Sequence, residues 1–346
     1  MSGLFPLAAA FCGVFATLSI AAPGAGPAAK RDTVVVDEKT EAVIKGSLKW
    51  LAANQKANGS WAISGEEQAH PVAITAYTLM AFQSAGHLPG EGEYGKQVAA
   101  GLQYLLDQMT TEGIYGQRPS GQYMYAHGIA TIALAELYGQ TRSPVIRQKL
   151  DRAIKLIISS QNDEGGWRYR PIAKDADMSV TVLQVVALRA AKNSGIEVPQ
   201  KTIDDAVKYV KACYHPSSGG FGYQPGGGPG FARTSAAIYS LQVCGLYEDP
   251  QVKAGSEYLN KNNREDQEWY VYGSFYAAPA QYMIGGQTWE KWYAEMKDRL
   301  IKSAKKDGEN YFWGSAGRGS VGPVYATAVF TMVLAMPYHY LPLYQR

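Results

Sequence analysis

The sequence predicts an all-α fold in which six pairs of helices close into a two-layered ring. The 346 residues divide into six consecutive units, each with one amphipathic segment and one apolar segment that lacks charge. A turn carrying an aromatic residue joins the two segments, and these turns recur about every fifty residues, which is the signature of a repeat architecture. No unit has the polar outer face that caps an open solenoid, so the units are expected to close on themselves.

The amphipathic segments are predicted to form the outer layer. In residues 145–160, for example, Ile146, Leu150 and Ile154 share one stripe, while basic residues lie off it. This spacing is typical of a helix with one buried face. In chain order the outer helices are predicted over 40–54, 96–109, 145–160, 202–213, 252–262 and 288–303.

The apolar segments are predicted to form the inner layer, because a helix that is apolar on all sides must be buried. They span 71–86, 126–135, 178–188, 234–247, 270–286 and 324–336. The turn aromatics between the layers are Trp61, Tyr115, Trp167, Phe221, Trp269 and Trp313. We expect each of them to pack against the neighbouring helix end and staple the ring.

The first residues have the pattern of a secretory leader. Residues 1–29 contain no charged side chain, and an apolar run over 4–22 precedes a segment rich in Pro, Gly and Ala. This pattern indicates a signal peptide, although the usual basic start is missing. An uncleaved anchor is the alternative, since a run of this length could span a bilayer. The sequence therefore predicts an extracytoplasmic protein, periplasmic or secreted, with a lead-in over 30–39 and one helical ring over 40–346.

The charge distribution excludes one class of partner. The 33 basic and 30 acidic residues are evenly spread and give a net charge of +3. Because no basic stripe is present, nucleic acid is not an expected partner.

Several motifs carry a resemblance to a known family. Gln161, Gly165-Gly166-Trp167 and Asp175-Ala176-Asp177-Met178-Ser179 resemble the repeat of squalene–hopene cyclases and protein prenyltransferase β subunits. The resemblance spans all six units. It is strongest to exported bacterial proteins with prenyltransferase and squalene oxidase repeats, through residues 124–128 and 338–344. It implies an (α/α)6 toroid with a central cavity that binds an apolar, isoprenoid or lipid-like ligand.

The acid motif of that family is present here only in part. Class II terpene cyclases protonate an alkene with the middle Asp of an Asp-x-Asp-Asp-Thr motif. Asp175 and Asp177 match the first and middle Asp, whereas Met178 replaces the third and Ser179 replaces Thr. Half of the acidic pair is therefore absent, and whether the protein is an enzyme stays open.

The zinc site of the prenyltransferases is not expected. Ser179 stands where the resemblance places a cysteine ligand, and no His lies within 232–240. Neither Cys213 nor Cys244 has an Asp two residues before it, so no metal or other cofactor is predicted. These two cysteines could pair or remain buried thiols.

Candidate site residues lie where the inner helices begin. The candidates for catalysis are Asp177, Asp175 and His127, and those for ligand binding are Tyr125, His70, Arg233, Tyr272, Phe275 and Tyr325. Each catalytic candidate has a structural alternative: Asp177 as a helix N-cap, Asp175 as a solvated loop residue, and His127 as a packed side chain bonded to a carbonyl. Six inner N-termini meeting at one rim favour an anionic or oxygen-rich ligand head.

Three function hypotheses follow. The first is an apolar ligand in the central cavity, and the second is a non-catalytic protein-interaction scaffold. The third is a carbohydrate-active toroid, which needs two carboxylates facing one cavity. An open cavity lined by Tyr, Phe and Met would favour the first hypothesis, and a ring centre filled by large side chains would favour the second.

Overall fold

A computed structural model describes residues 34–118, 120–314, 319 and 321–344. The leader predicted over 1–29 lies outside the described residues. In chain order the helices of the described part are α1 (Glu38–Ala53), α2 (Gly65–Gln68), α3 (Pro71–Ser84), α4 (Gly95–Asp107), α5 (Met124–Thr141), α6 (Pro144–Ser159), α7 (Met178–Asn193), α8 (Gln200–Ala212), α9 (Phe231–Val243), α10 (Pro250–Asn262), α11 (Tyr270–Ile284), α12 (Gly286–Ser303) and α13 (Pro323–Ala335). None of them is long and apolar enough to cross a membrane.

Two short antiparallel hairpins and two 3₁₀ turns complete the described structure. Strand β1 (Tyr214–His215) pairs with β2 (Gly220–Phe221), and β3 (Lys305–Asp307) pairs with β4 (Asn310–Phe312). The 3₁₀ turns cover Met336–Tyr338 and Pro342–Tyr344. These elements join or close helices and leave the fold all-α.

The helices form the predicted (α/α)6 toroid. Each of the inner helices packs against the next, and α13 packs against α3, which closes the ring. The inner helices are α3, α5, α7, α9, α11 and α13, and the outer ones are α1, α4, α6, α8, α10 and α12. Every residue of 324–335 in α13 is buried, whereas α6 buries only a stripe that includes Leu150 and Ile157. The fold class read from the hydrophobic pattern is therefore confirmed.

Two inner helices, α5 and α7, are longer than their charge-free runs, and α7, predicted over 178–188, continues to Asn193. Helix α5 was predicted over 126–135 but continues to Thr141. The run ends at Glu136, which is nevertheless 2% exposed and accepts a hydrogen bond from the Leu343 backbone amide. Since this carboxyl group has a buried partner, it does not terminate the helix.

The turn aromatics staple the outer layer to the inner layer. The Trp167 indole Nε1 donates to the Ile157 carbonyl at 2.7 Å, and its backbone amide donates to the Thr181 hydroxyl at 3.0 Å. Trp61 and Trp313 make the same pair of contacts. The stapling prediction is wrong for Trp269, which is 49% exposed, because it directly precedes α11 and has no loop to carry it back to the outer layer.

Adjacent units are tied together by a glutamine in the turn. Gln161 Nε2 donates to the carbonyls of Gly165 (2.8 Å) and Thr202 (2.9 Å), so one side chain links its own turn to the next outer helix. Gln55 repeats this bridge in the first unit. Gly165 has a φ of +95°, and a Cβ there would lie 2.0 Å from the Asp205 carbonyl oxygen, so only glycine allows the approach.

Candidate functional site

The axis of the ring is occupied by aromatic side chains near the inner N-termini. Tyr125 at the start of α5 and Tyr272 at the start of α11 have ring centroids 6.5 Å apart. Helices α5 and α11 lie on opposite sides of the ring, so this contact crosses the axis. The Tyr272 hydroxyl also donates to the Ser179 carbonyl at 2.6 Å, which joins α11 to α7.

Other rings fill the space beside this pair. Tyr77 on α3 lies 5.1 Å from Phe275 and 4.9 Å from Tyr325, and Phe275 lies 4.9 Å from Tyr276. These four side chains are between 0% and 6% exposed. We call the set the axial aromatic layer: Tyr77, Tyr125, Tyr272, Phe275, Tyr276 and Tyr325. At its level, side chains from α3, α5, α11 and α13 occupy the centre of the ring.

A cluster centred on Arg168 lies beside this layer, around the loop before α7. We call Arg168, Tyr169, Asp175, Asp177 and Tyr223 the arginine cluster. The Arg168 guanidinium is 4.8 Å from the Tyr169 ring centroid and 5.6 Å from that of Tyr223, in cation–π geometry. Arg168 also pairs with two carboxylates, Asp175 Oδ2 at 3.7 Å and Asp177 Oδ2 at 3.3 Å. The two tyrosine hydroxyls bond to each other. One guanidinium therefore organises two acids and two rings.

Asp177 is both a helix cap and a buried acid. Its Oδ1 accepts from the Val180 amide at 2.9 Å, so the N-cap alternative is confirmed. The side chain is 0% exposed, Oδ2 lies 3.3 Å from Arg168 Nε, and the Tyr223 hydroxyl faces the carboxyl group. Burial raises the pKa of Asp177 to about 6, against the opposing effects of the Val180 amide, the Tyr223 hydroxyl and Arg168. A catalytic role for Asp177 stays a prediction.

A cleft of about 350 Å³ lies over the arginine cluster. Its lining contains three cations and one carboxylate, and consists of Gln122, Arg168, Tyr169, Arg170, Ile172, Lys174 and Asp175. The Asp175 side chain is 60% exposed, which agrees with the alternative that Asp175 is a solvated loop residue. Ile172 is 56% exposed, so the cleft has an apolar edge.

His127 points away from the ring axis, toward the outer layer. Its Nδ1 accepts from the Tyr115 amide at 3.3 Å, and its Nε2 lies 3.1 Å from the Ala153 carbonyl of α6. Burial lowers the pKa of His127 to about 4, so the ring is neutral near pH 7. Both nitrogens are engaged within the protein, as in a packed histidine, and a catalytic role for His127 stays a prediction.

The remaining candidates are divided between the axis and the loops. His70 stands at the N-cap position of α3 but makes no side-chain capping hydrogen bond. Its ring lies 3.3 Å from an Arg118 nitrogen, and burial and then Arg118 lower the pKa of His70. Arg233 donates to the Gly228 carbonyl in the preceding loop. The structure therefore brings together Tyr125, Tyr272, Phe275 and Tyr325, but does not join His127 to them.

The described residues hold no cluster of three or more His, Cys, Asp or Glu that could bind a metal ion. Cys213 is buried, Cys244 is half-buried, and both are free thiols. Burial raises the pKa of each thiol to about 12. Neither cysteine is therefore a reactive thiolate near pH 7.

The chain matches a known family in sequence and known structures in fold. The sequence model of the prenyltransferase alpha-alpha toroid domain matches residues 32–177 and 66–272. No relative was found among curated protein sequences.

Three similar solved structures act on carbohydrates by their titles. Cellobiose 2-epimerase from Bacillus thermoamylovorans B4167 has a TM-score of 0.67 at 13% identity, covering 87% of this chain and 99% of that one. A D-mannose isomerase has a TM-score of 0.62 at 12% identity, covering 86% of this chain and 96% of that one. The GH76A alpha-1,6-mannanase from Salegentibacter sp. HEL1_6 has a TM-score of 0.61 at 9% identity, covering 86% of this chain and 98% of that one. At these identities the likeness shows the fold alone.

Proposed function

The chain belongs to the prenyltransferase alpha-alpha toroid domain family, and from the way it fills its own ring we propose that it is a non-catalytic binding scaffold. The observation that carries the proposal is the contact between Tyr125 and Tyr272 across the axis. A cyclase-type chamber needs space where these rings lie. The proposal includes export, with residues 1–29 as the leader.

The binding surface of the scaffold is the rim at the inner N-termini. Three large apolar side chains are exposed there: Tyr125 (38%), Ile172 (56%) and Trp269 (49%). They precede or begin three different inner helices, so they are distributed around the rim. Tyr, Trp and Arg are the residues most enriched at the energetic centres of protein interfaces. This composition suits a protein partner.

The charge of the cleft indicates the chemistry of that partner. Arg170 and Lys174 are exposed, and no described ion pair neutralises either of them. Asp175 and Asp177 already face Arg168. The rim therefore presents unneutralised positive charge beside Ile172, which favours an acidic patch on the partner.

Site-specific photo-crosslinking in the native host tests the proposal. A photoreactive residue at Ile172 is expected to give a discrete protein adduct that disappears when Arg170 and Lys174 are changed to Glu. Val145 is the matched control, since it is an aliphatic side chain with 53% exposure at the other end of the ring. Equal labelling from both positions, or none from Ile172, would contradict the scaffold.

The second candidate is an apolar isoprenoid or lipid-like ligand with Asp177 as a residual acid. Its support is the buried Asp177 carboxyl group with a raised pKa, beside a layer of tyrosines. Such a ligand would have to displace the axial aromatic layer. Mass spectrometry of an organic extract from the purified protein separates the candidates. A defined co-purifying isoprenoid would favour the second candidate and count against the first.

Substitutions at Asp177 give a further expectation. Asn caps helices as well as Asp does, so Asp177→Asn is expected to change stability by less than about 1 kcal/mol, whereas Asp177→Ala should cost about 1–2 kcal/mol. Because burial raises the pKa of Asp177 from 3.8 to about 6, its contribution to stability is present below pH 3.8 and is lost as the pH rises through 6. Between pH 4 and pH 8, urea unfolding should show a larger loss of stability in the wild type than in Asp177→Asn, in which Glu136 still titrates. An equal pH dependence in both proteins would mean that Asp177 titrates normally.

A further inference from the structure

The segment that follows α13 turns back into the ring at the end opposite the rim. The chain reverses at His339, whose φ of +59° lies in the left-handed region, and the Tyr282 hydroxyl lies 3.1 Å from His339 Nδ1. The following turn, Pro342–Tyr344, contacts α5, α7 and α11. Because these helices lie on different sides of the ring, the turn occupies its centre. We call Met336–Tyr344 the plug segment.

The ring holds the plug segment as a pocket holds a peptide. The Leu343 amide donates to Glu136 Oε2 at 3.1 Å, and the Tyr239 hydroxyl donates to the Leu343 carbonyl at 3.5 Å. Both backbone groups of one residue are thus bound by side chains. Leu341, Leu343 and Tyr344 are only 1–3% exposed, so their side chains fill the apolar part of the pocket.

We propose that this end of the ring is a peptide-binding pocket, which the plug segment occupies reversibly. The pocket accommodates one aliphatic and one aromatic side chain of the peptide, and it forms hydrogen bonds with one backbone N–H and one backbone C=O group. The geometry suits release of the segment as a unit, because the chain turns back at the left-handed residue His339 and the ring binds the Leu343 backbone through the Glu136 and Tyr239 side chains. The inference is independent of the scaffold function proposed for the opposite rim.

Glu136 supplies the means of release. The titratable groups that face it are Tyr239 on α9 and Tyr344 on the plug segment. Within the described residues, no Lys or Arg on α3, α6, α7 or α11 forms an ion pair with Glu136. Burial raises the pKa of Glu136 to about 7, with the Leu343 amide opposing the shift.

The direction of the pH effect follows from this shift. Since the pKa is raised from 4.5 in the closed form, stability of the closed form is greatest below pH 4.5 and is lost as the pH rises through 7. The ionised carboxylate is hydrated only when the segment leaves. Opening is therefore expected to increase by roughly 50- to 100-fold between pH 5 and pH 8.

Hydrogen exchange of the full-length protein measures this opening. Exchange rates in peptides covering 336–344, corrected for the intrinsic pH dependence, are expected to show the increase in the wild type and not in Glu136→Gln. The inner helices should stay protected at both pH values. The proposal fails if the segment exchanges only with global unfolding, or if Glu136→Gln keeps the full pH dependence.

A second variant tests the pocket itself. Tyr344→Ala removes the largest buried side chain of the plug segment without changing any residue of the ring helices. Protection of 336–344 should fall at least tenfold, and a fluorescent peptide with the wild-type sequence 336–344 should then bind in trans, as followed by anisotropy. The wild type, whose pocket is occupied, should bind this peptide at least tenfold more weakly. Equal binding to both proteins, or unchanged protection in Tyr344→Ala, would overturn the proposal.

Discussion

Replacement of Trp167 by alanine is expected to lower the free energy of unfolding by about 4 kcal/mol. The indole is 1% exposed, so its removal leaves a large cavity between the outer and inner layers. The variant also loses the indole hydrogen bond to the Ile157 carbonyl, which then accepts only from the Ser160 amide and hydroxyl. Equilibrium urea unfolding followed by circular dichroism measures the change.

Two control substitutions separate packing from hydrogen bonding. Trp167→Phe keeps most of the apolar volume and removes only the indole donor, so a loss of about 1–2 kcal/mol is expected. Trp269→Ala removes the same side chain from a position that is 49% exposed and should cost less than about 1 kcal/mol. Equal losses from Trp167→Ala and Trp269→Ala would show that the turn aromatics do not staple the ring.

The fold could be predicted because each unit repeats one physical pattern. A charge-free helix must be covered on all sides, and six of them alternating with amphipathic helices leave few arrangements other than a double ring. The predictions failed where one residue departed from the pattern for a local reason. Glu136 has a buried partner and does not end α5, and Trp269 lacks the loop that brings the other aromatics to the outer layer.

The candidate site could be predicted only where it follows the repeat. Tyr125, Tyr272 and Tyr325 begin inner helices, and the ring symmetry brings such positions to one axis. His127 occupies the place where other units have a threonine that accepts from the turn amide, as Thr181 does, so it faces the outer layer. The threonine that recurs at this position in other units was the sequence signal that the side chain accepts a hydrogen bond from the turn amide.

The arginine cluster could not be predicted, because it depends on two loops meeting. Arg168 directly follows Trp167, and Tyr223 belongs to the glycine-rich loop of the next unit. Arg168 has no counterpart one residue after Phe221, where Gly222 stands, and its contact with Tyr223 follows from the packing of adjacent units. The same holds for Glu136 and Leu343, which are far apart in the chain and meet only because the plug segment turns back.

Glu67→Ala is expected to lower the free energy of unfolding by about 3 kcal/mol. Glu67 lies in α2 and is 0% exposed. Its Oε1 accepts from the amides of Val324 (2.8 Å) and Tyr325 (3.1 Å), and its Oε2 accepts from the Ser64 hydroxyl at 2.9 Å. The residue thus caps the last inner helix from the first unit, and alanine would leave these buried donors without a partner.

The controls for this variant ask whether ring closure, rather than local helix stability, is affected. Glu66→Ala changes the exposed neighbour in the same helix and should cost less than about 0.5 kcal/mol. Glu67→Gln places an NH₂ group against amide donors on one side and should cost about 1–2 kcal/mol. Hydrogen exchange should show Glu67→Ala losing protection first in α3 and α13, the two helices that close the ring. A uniform loss around all six inner helices would instead mean that the ring unfolds as one unit. Glu67 would then stabilise the whole ring and not specifically the contact between α3 and α13.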